Sequence, residues 1–189
     1  MADNSRLIVC TNPNNRRLLE HLIHSNFSVE FEQEIIWHYD FGTYTKKRFV
    51  PSHDNILIYK FGSPPFNWQS VAIESQRQQA NDSRADHRGR TPGTVWNIPR
   101  VPGNSLSRTY CKDLYKVSQQ PEELVKRIVL AYTNENDIVF DPFSHSGTVG
   151  LICKRHHRRF YGVTNKLDYA KAARERIEKQ DWMKVMKAL

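Results

Sequence analysis

Residues 137–154 read DIVFDPFSHSGTVGLICK, and the fold turns on how they are parsed. Asp137-Ile138-Val139-Phe140 is a short apolar run of the kind that forms a buried strand, and Val149 to Lys154 reads as a helix. Between them DPFSHSGTVG, residues 141–150, is a tight turn. A strand, a tight turn and a helix in that order is where α/β proteins hold nucleotides.

The flanking sequence continues the pattern. Downstream, Arg159-Phe160-Tyr161-Gly162-Val163 is a second strand candidate, and a last helix starts at about Leu167. Upstream, Pro121-Glu122-Glu123 opens a helix through Leu124, Ile128 and Val129 to Ala131 or Tyr132, with proline in the first turn and acids set against the helix dipole. Alternation of strand and helix predicts an α/β fold with a mostly parallel sheet. Nearer the N-terminus, Arg6 to Cys10 is a buried-type strand, and Arg16 to Ser25 is a helix whose apolar face is Leu18, Leu19, Leu22 and Ile23. Residues 34–39 and 55–60 read as the two arms of a long β-hairpin.

From about 62 to 110 apolar periodicity fades into Pro, Gly, Gln, Asn and Arg, which marks an inserted loop region or small lobe. It carries Arg77, Arg84, Arg88, Arg90, Arg100 and Arg108 against Glu74, Asp82 and Asp86. Two readings stand: a solvated insertion, or a surface that tracks phosphates and reads bases. A formal charge of +8 over 189 residues suits a polyanionic partner. Cys10, Cys111 and Cys153 are odd in number and lack metal-ligand spacing, as expected of reduced cytoplasmic thiols. No apolar run reaches the roughly 18 to 20 residues needed to cross a bilayer, and no signal-peptide layout opens the chain. The expectation is one domain over 1–189, cytoplasmic and without a metal site.

The segment Asn136 to Phe143 with Ser146-Gly147-Thr148, then Arg159 to Val163, then Tyr169 to Ile177 as YAKAARERI, resembles the GDxVxDPFxGSGTT, RxFxGxE and YxxxAxxRI signature of the DNA amino-methyltransferases. These are the adenine-N6 and cytosine-N4 enzymes, here in the order that puts the cofactor motif near the C-terminus. Gln33 to Trp37, Arg48-Phe49, His53 to Leu57, Thr94 to Pro99 and Gln119 to Leu124 resemble further family segments, so the likeness covers nearly the whole chain.

The resemblance implies a Rossmann-like fold, with S-adenosylmethionine over the FxGxG turn and an acid at the end of the next strand on the ribose. DNA methylation, with a restriction-modification setting, is the implied function. The implied cofactor set is Asp141, Pro142, Phe143, Ser144, His145, Ser146, Gly147, Thr148 and Thr164 with Gln119 and Pro121. The implied DNA contacts are Arg77, Arg84, Arg88, Arg90 and Arg108. Residues 111–189 become the cofactor-binding half and approximately 62–110 the target-recognition lobe.

The sequence departs from the pattern at four places. His145 replaces the first glycine of FxGxG; its imidazole swings outward, contacts the ligand, or, as expected here, obstructs it. Thr164, followed by Asn165, stands for the ribose acid, and one neutral hydroxyl in place of a carboxylate costs roughly 1 to 3 kcal/mol. Gln120 replaces a lysine. Finally, no Asp-Pro-Pro-Tyr loop precedes the Arg6–Cys10 strand to hold a flipped base.

Ser63-Pro64-Pro65-Phe66 has the Ser-Pro-Pro-aromatic form, but it follows the hairpin and so falls at the wrong topological place; these four are catalytic candidates only in a weak sense. The family sheet runs 3-2-1-4-5-7-6, and the chain offers candidates for strands 5, 6, 7, 1 and 2 but none for central strand 4. Either a complementary N-terminal polypeptide or another copy covers the exposed edges, or strands 1 and 5 close up directly. The chain alone is expected to be inactive.

Overall fold

The computed structural model describes residues 3–40, 45–102 and 119–187, with side chains through residue 179. Two compact units divide the chain, Met1–Pro99 and Arg100–Leu189. Among the described residues no helix is long and apolar enough to cross a membrane.

The first unit is built on a four-stranded mixed sheet in the order β1-β3-β2-β4, with β1 Ser5–Thr11, β2 Glu30–His38, β3 His53–Phe61 and β4 Val95–Asn97. β3 runs antiparallel to both β1 and β2, and β4 runs parallel to β2. The hairpin β2–β3 keeps its register from Glu30 opposite Lys60 to His38 opposite His53, apart from a bulge between Phe31 and Gln33. β3 is central, and its run Ile56, Leu57, Ile58 and Tyr59 is closed to solvent on both faces. A central strand buried on both sides needs a continuous apolar run in place of alternation, which is what the sequence supplies.

Helix α1, Arg16–Asn26, lays Ile23 against Leu57 and Tyr59, with Leu7, Val9 and Val29 around them. The order β1-β3-β2 corresponds to the 5-7-6 part of the expected sheet. β4 lies inside the stretch that the sequence marks as an irregular lobe; three residues are too few to show periodicity. The rest of that stretch holds a 3-10 turn at Trp68–Val71 and the four-residue helix α2, Gln76–Gln79, started by a capping box between Ser75 and Gln78.

In the second unit, helix α3 covers Glu122–Tyr132 with Pro121 as its N-cap and two acids in its first turn. Strand β5, Ile138–Asp141, pairs in parallel with β6, Arg159–Gly162, across helix α4, Thr148–Arg155; helix α5 spans Leu167–Lys187. Val125, Val129, Ile152 and Cys153 form the core, and Val139, Val149 and Phe160 pack onto it from the two-stranded sheet and α4. The alternate strand residues Ile138, Phe140 and Tyr161 are exposed, so one face of this pair is buried and the other is not. These parallel neighbours correspond to strands 1 and 2 of the expected order. The α/β class stands, with parallel pairing in the second unit and mainly antiparallel pairing in the first.

Candidate functional site

The turn after β5 is held from three directions. Asp141 closes the strand and accepts a hydrogen bond from the Phe143 amide at 3.0 Å. The Ser144 amide donates to the Val163 carbonyl and the Val163 amide to the Asp141 carbonyl, both at 2.9 Å, so the turn is laced to the end of β6. The Gly147 amide then donates to the Ser144 carbonyl at 2.7 Å, and Gly147 becomes the N-cap of α4. A helix that starts on a glycine-rich turn directs free backbone amides toward an anion or a polar ligand edge.

Two positions in the turn have positive φ, His145 at 34° and Gly147 at 71°. The glycine backbone is therefore kept at 145 although the glycine is gone, at a conformational cost on the order of 1 kcal/mol. The imidazole lies edge-on to the Tyr169 ring of α5, with centroids 6.3 Å apart. Lys166 sits over the other partner, 5.2 Å from the centre of the Tyr169 ring. The side chain that the sequence expects to obstruct a ligand is thus turned to α5.

Gly147 has a different reason to be glycine. A Cβ there would stand 2.8 Å from the Cβ of Ala173 and 3.2 Å from its Cα. Packing against α5 and a left-handed backbone both demand the absence of a side chain.

Beneath the turn lies a buried polar network centred on Arg176, which is 2% exposed. Its Nη1 donates to the Ser146 carbonyl at 3.0 Å and to Thr148 Oγ1 at 2.8 Å, and its Nη2 donates to Glu122 Oε1 at 3.0 Å. Arg155 donates to the other oxygen of Glu122. Arg176 thereby ties the start of α3 to the turn, which brings the neighbourhood of Gln119 and Pro121 to residues 146–148. Burial pushes its guanidinium below the ordinary arginine range, against the pull of Glu122. Arg176 stands within YAKAARERI, residues 169–177, and the resemblance assigns it no task. The available signal is helical spacing, since Ala172, Ala173 and Arg176 share the buried face of α5.

Asp141 is held above the usual carboxylate range by burial, opposed by the Phe143 amide and by the nearby His145. At the end of β6 the Thr164 hydroxyl oxygen is shut from solvent with no hydrogen-bond partner. An orphaned hydroxyl at the position expected to meet a ribose, beside a turn in glycine geometry, fits a nucleoside-bearing ligand.

The weak catalytic candidates fare differently. Arg6 donates from Nη1 to the Pro65 carbonyl at 2.5 Å and from Nη2 to the Pro64 carbonyl at 3.3 Å. The same guanidinium grips both carboxylate oxygens of Glu32, at 2.7 and 2.9 Å. The Ser63 amide is bonded to Asn4 Oδ1 at 2.9 Å. Arg6 thus engages the carbonyls of both prolines of this loop, one hydrogen bond to each.

Of the expected DNA contacts, Arg77, Arg84, Arg88 and Arg90 are exposed, while Arg108 lies outside the described residues. Arg84 is paired with Asp82 at 2.8 Å and Arg88 with Asp86 at 2.9 Å. Arg90 donates to the Thr91 carbonyl.

Comparison with known proteins yields a match of residues 1–175 to the N6_N4_Mtase family model, described as DNA methylase. The chain is similar to the type II methyltransferase M.HpaI of Haemophilus parainfluenzae, 30% identical over 84% of this chain and 49% of that protein. It is similar also to the DNA adenine methyltransferase YhdJ of Escherichia coli (strain K12), 32% identical over 78% of this chain and 52% of that one. The chain spans about half the length of these two relatives. Among solved structures, the M1.HpyAVI–SAM complex matches with a TM-score of 0.62 over 93% of this chain and 76% of that one, at 19% identity. At that identity the likeness is one of fold.

Proposed function

This chain belongs to the N6/N4 DNA methylase family, and on that premise we propose that it carries the cofactor-binding and target-recognition parts of a DNA amino-methyltransferase. The reaction is S-adenosylmethionine-dependent methylation of adenine N6 or cytosine N4, in the cytoplasm and in the restriction-modification setting that the type II names of its relatives suggest. When bound, S-adenosylmethionine supplies an electrophilic methyl group for the exocyclic amine.

The residues given to the cofactor are Asp141 to Thr148, with Gln119 and Pro121 beside them and Thr164 for the ribose. Thr164 offers its unpartnered hydroxyl, Gly147 supplies the left-handed residue from which α4 starts, and Phe143, 76% exposed, offers an apolar surface. The observation that carries this reading is the glycine-type backbone at both 145 and 147. A turn that retains φ of 34° at a histidine keeps the shape of the ligand cradle. The sequence has no Asp-Pro-Pro-Tyr loop to hold the target amine, and on this reading that loop comes from a further segment of the protein or from a partner polypeptide. On the same reading the chain alone is expected not to transfer methyl groups.

Titration calorimetry with S-adenosylmethionine tests the reading, with the natural chain and His145→Gly side by side. Binding by the natural chain, with similar affinity in the variant, is expected. Absence of binding by both proteins would overturn the cofactor assignment, and labelled methyl transfer to mixed DNA by the chain alone would overturn the claim that it is incomplete.

A second reading, a non-catalytic DNA-binding or partner subunit derived from a methyltransferase, is favoured by the engaged carbonyls of Pro64 and Pro65. Salt-dependent affinity for DNA that is indifferent to the cofactor would single it out.

A further inference from the structure

Residues 82–89 are a tandem repeat of one turn. In Asp82-Ser83-Arg84-Ala85 the Ala85 amide bonds the Asp82 carbonyl at 2.9 Å, and in Asp86-His87-Arg88-Gly89 the Gly89 amide bonds the Asp86 carbonyl at 3.0 Å. In each turn the first aspartate oxygen accepts the amide of the arginine two residues on, at 2.9 and 3.0 Å. The arginine side chain then folds back onto the same aspartate. Arg84 donates from Nε at 3.0 Å and from Nη2 at 2.8 Å; Arg88 donates from Nε at 3.1 Å and from Nη2 at 2.9 Å.

Both guanidiniums are therefore held along their Nε edge. That leaves Nη1 and the outer hydrogen of Nη2 as a pair of parallel donors, on side chains 77% and 63% exposed. The Arg88 guanidinium also lies over the ring of Trp68, its Cζ 5.6 Å from the ring centre. The stretch 73–90 that carries both turns is closed at its ends, since Ile73 and Arg90 exchange backbone hydrogen bonds at 2.9 and 2.8 Å.

Charge and geometry here point in different directions. An arginine that binds phosphate needs its positive charge, yet each of these is neutralised by its own aspartate, which weakens attraction to a polyanion. An arginine that reads a base needs a fixed pair of parallel donors, and the aspartate supplies the fixing. Guanine presents O6 and N7 as paired acceptors on its major-groove edge, and a guanidinium end matches them two to two.

We propose that the tandem turns at 82–89 are a guanine-reading element in which Asp82 and Asp86 hold Arg84 and Arg88 for end-on contact with guanine bases. The inference rests on the DNA-directed reading of the chain and names the residues that would set its sequence preference. Arg77 and Arg90, which no carboxylate among the described residues neutralises, remain for phosphate.

The test uses the full chain and a pool of random-sequence duplexes, enriched by rounds of binding and then measured by fluorescence anisotropy across salt concentrations. Replacing guanine by 7-deazaguanine in the enriched duplex removes N7 and leaves every phosphate in place. The natural chain should lose about tenfold or more in affinity on that replacement. Arg84→Lys/Arg88→Lys, which keeps the charge and loses the fork, should bind both duplexes alike with an unchanged salt slope. Asp82→Asn/Asp86→Asn should bind more tightly at low salt while discriminating less. A purely structural role for the pairs would not produce that divergence.

Salt-dependent binding by the natural chain without sensitivity to 7-deazaguanine would overturn this inference and leave the DNA reading intact. So would discrimination that survives the double lysine variant. No salt-dependent binding to any duplex would overturn the DNA reading and this inference with it.

Discussion

Gly147 and Ala173 are in such close approach that a Cβ added to the glycine would stand 2.8 Å from that of the alanine. The glycine's φ of 71° adds a second obstacle to any side chain. Gly147→Ala is expected to destabilise the protein by about 2 to 4 kcal/mol, the sum of a left-handed backbone cost and an overpacked contact. Urea denaturation followed by circular dichroism measures it, and Ala173→Gly in the same chain should recover the overpacking part only.

Arg176 is the deeper dependency. Removing its side chain strips the buried Ser146 carbonyl and Thr148 hydroxyl of their donor and leaves Glu122 to Arg155 alone, at a cost of about 2 to 4 kcal/mol. Arg176→Ala should show a loss of that order, whereas Glu123→Ala, one residue along on an exposed position of α3, should change stability by less than about 0.5 kcal/mol. Similar melting temperatures for the two variants would mean that Arg176 does not secure the turn.

Asp141 gives a prediction with a definite sign. Its carboxyl is raised above its ordinary range in the folded protein, so the folded state binds more protons than the unfolded state as pH rises from the unfolded value through the folded one. Stability from this group falls over that window. Asp141→Asn, which keeps an oxygen for the Phe143 amide, should match the natural protein at acid pH below the window and exceed it near neutrality. Melting curves across pH decide, and a variant less stable at neutral pH would refute the assignment of burial as the dominant cause.

The thiols should separate by burial. Cys153 is closed to solvent and burial pushes it up to about 12, while Cys10 is exposed. Peptide mapping after brief treatment with iodoacetamide at pH 8 should find Cys10 modified and Cys153 intact until denaturant is added. Cys111 lies outside the described residues.

Much of this arrangement is legible in the sequence because periodicity and punctuation carry it. Ile56 to Tyr59 announces a buried strand, Pro121-Glu122-Glu123 announces a helix start, and DPFSHSGT announces the turn. Long-range pairings are what local pattern does not reach. Glu122 reads as an acid facing a helix dipole, yet its work is to hold Arg176 and Arg155, 54 and 33 residues away. Arg6 reads as the polar start of a strand, and nothing local says that it closes on Pro64 and Pro65. Arg84 and Arg88 count as positive charge in any composition, and only coordinates show their aspartates folded onto them.

The unequal support of the turn also bears on how such a motif ages. Gly147 packs against Ala173 and the Thr148 hydroxyl is held by Arg176, so a lineage released from the need to methylate would still be pressed to keep both in order to fold, whereas Arg176 takes only the backbone carbonyl of Ser146. Position 145 is tied among the described residues only by an edge-on ring contact to Tyr169 and by the charge of nearby Asp141. Inherited change in this loop is therefore steered to the first glycine, where a substitution is survivable, and away from the second, where it is not. A surviving Gly-Thr records the demands of folding, and residue 145 is the place where a change of occupation is written.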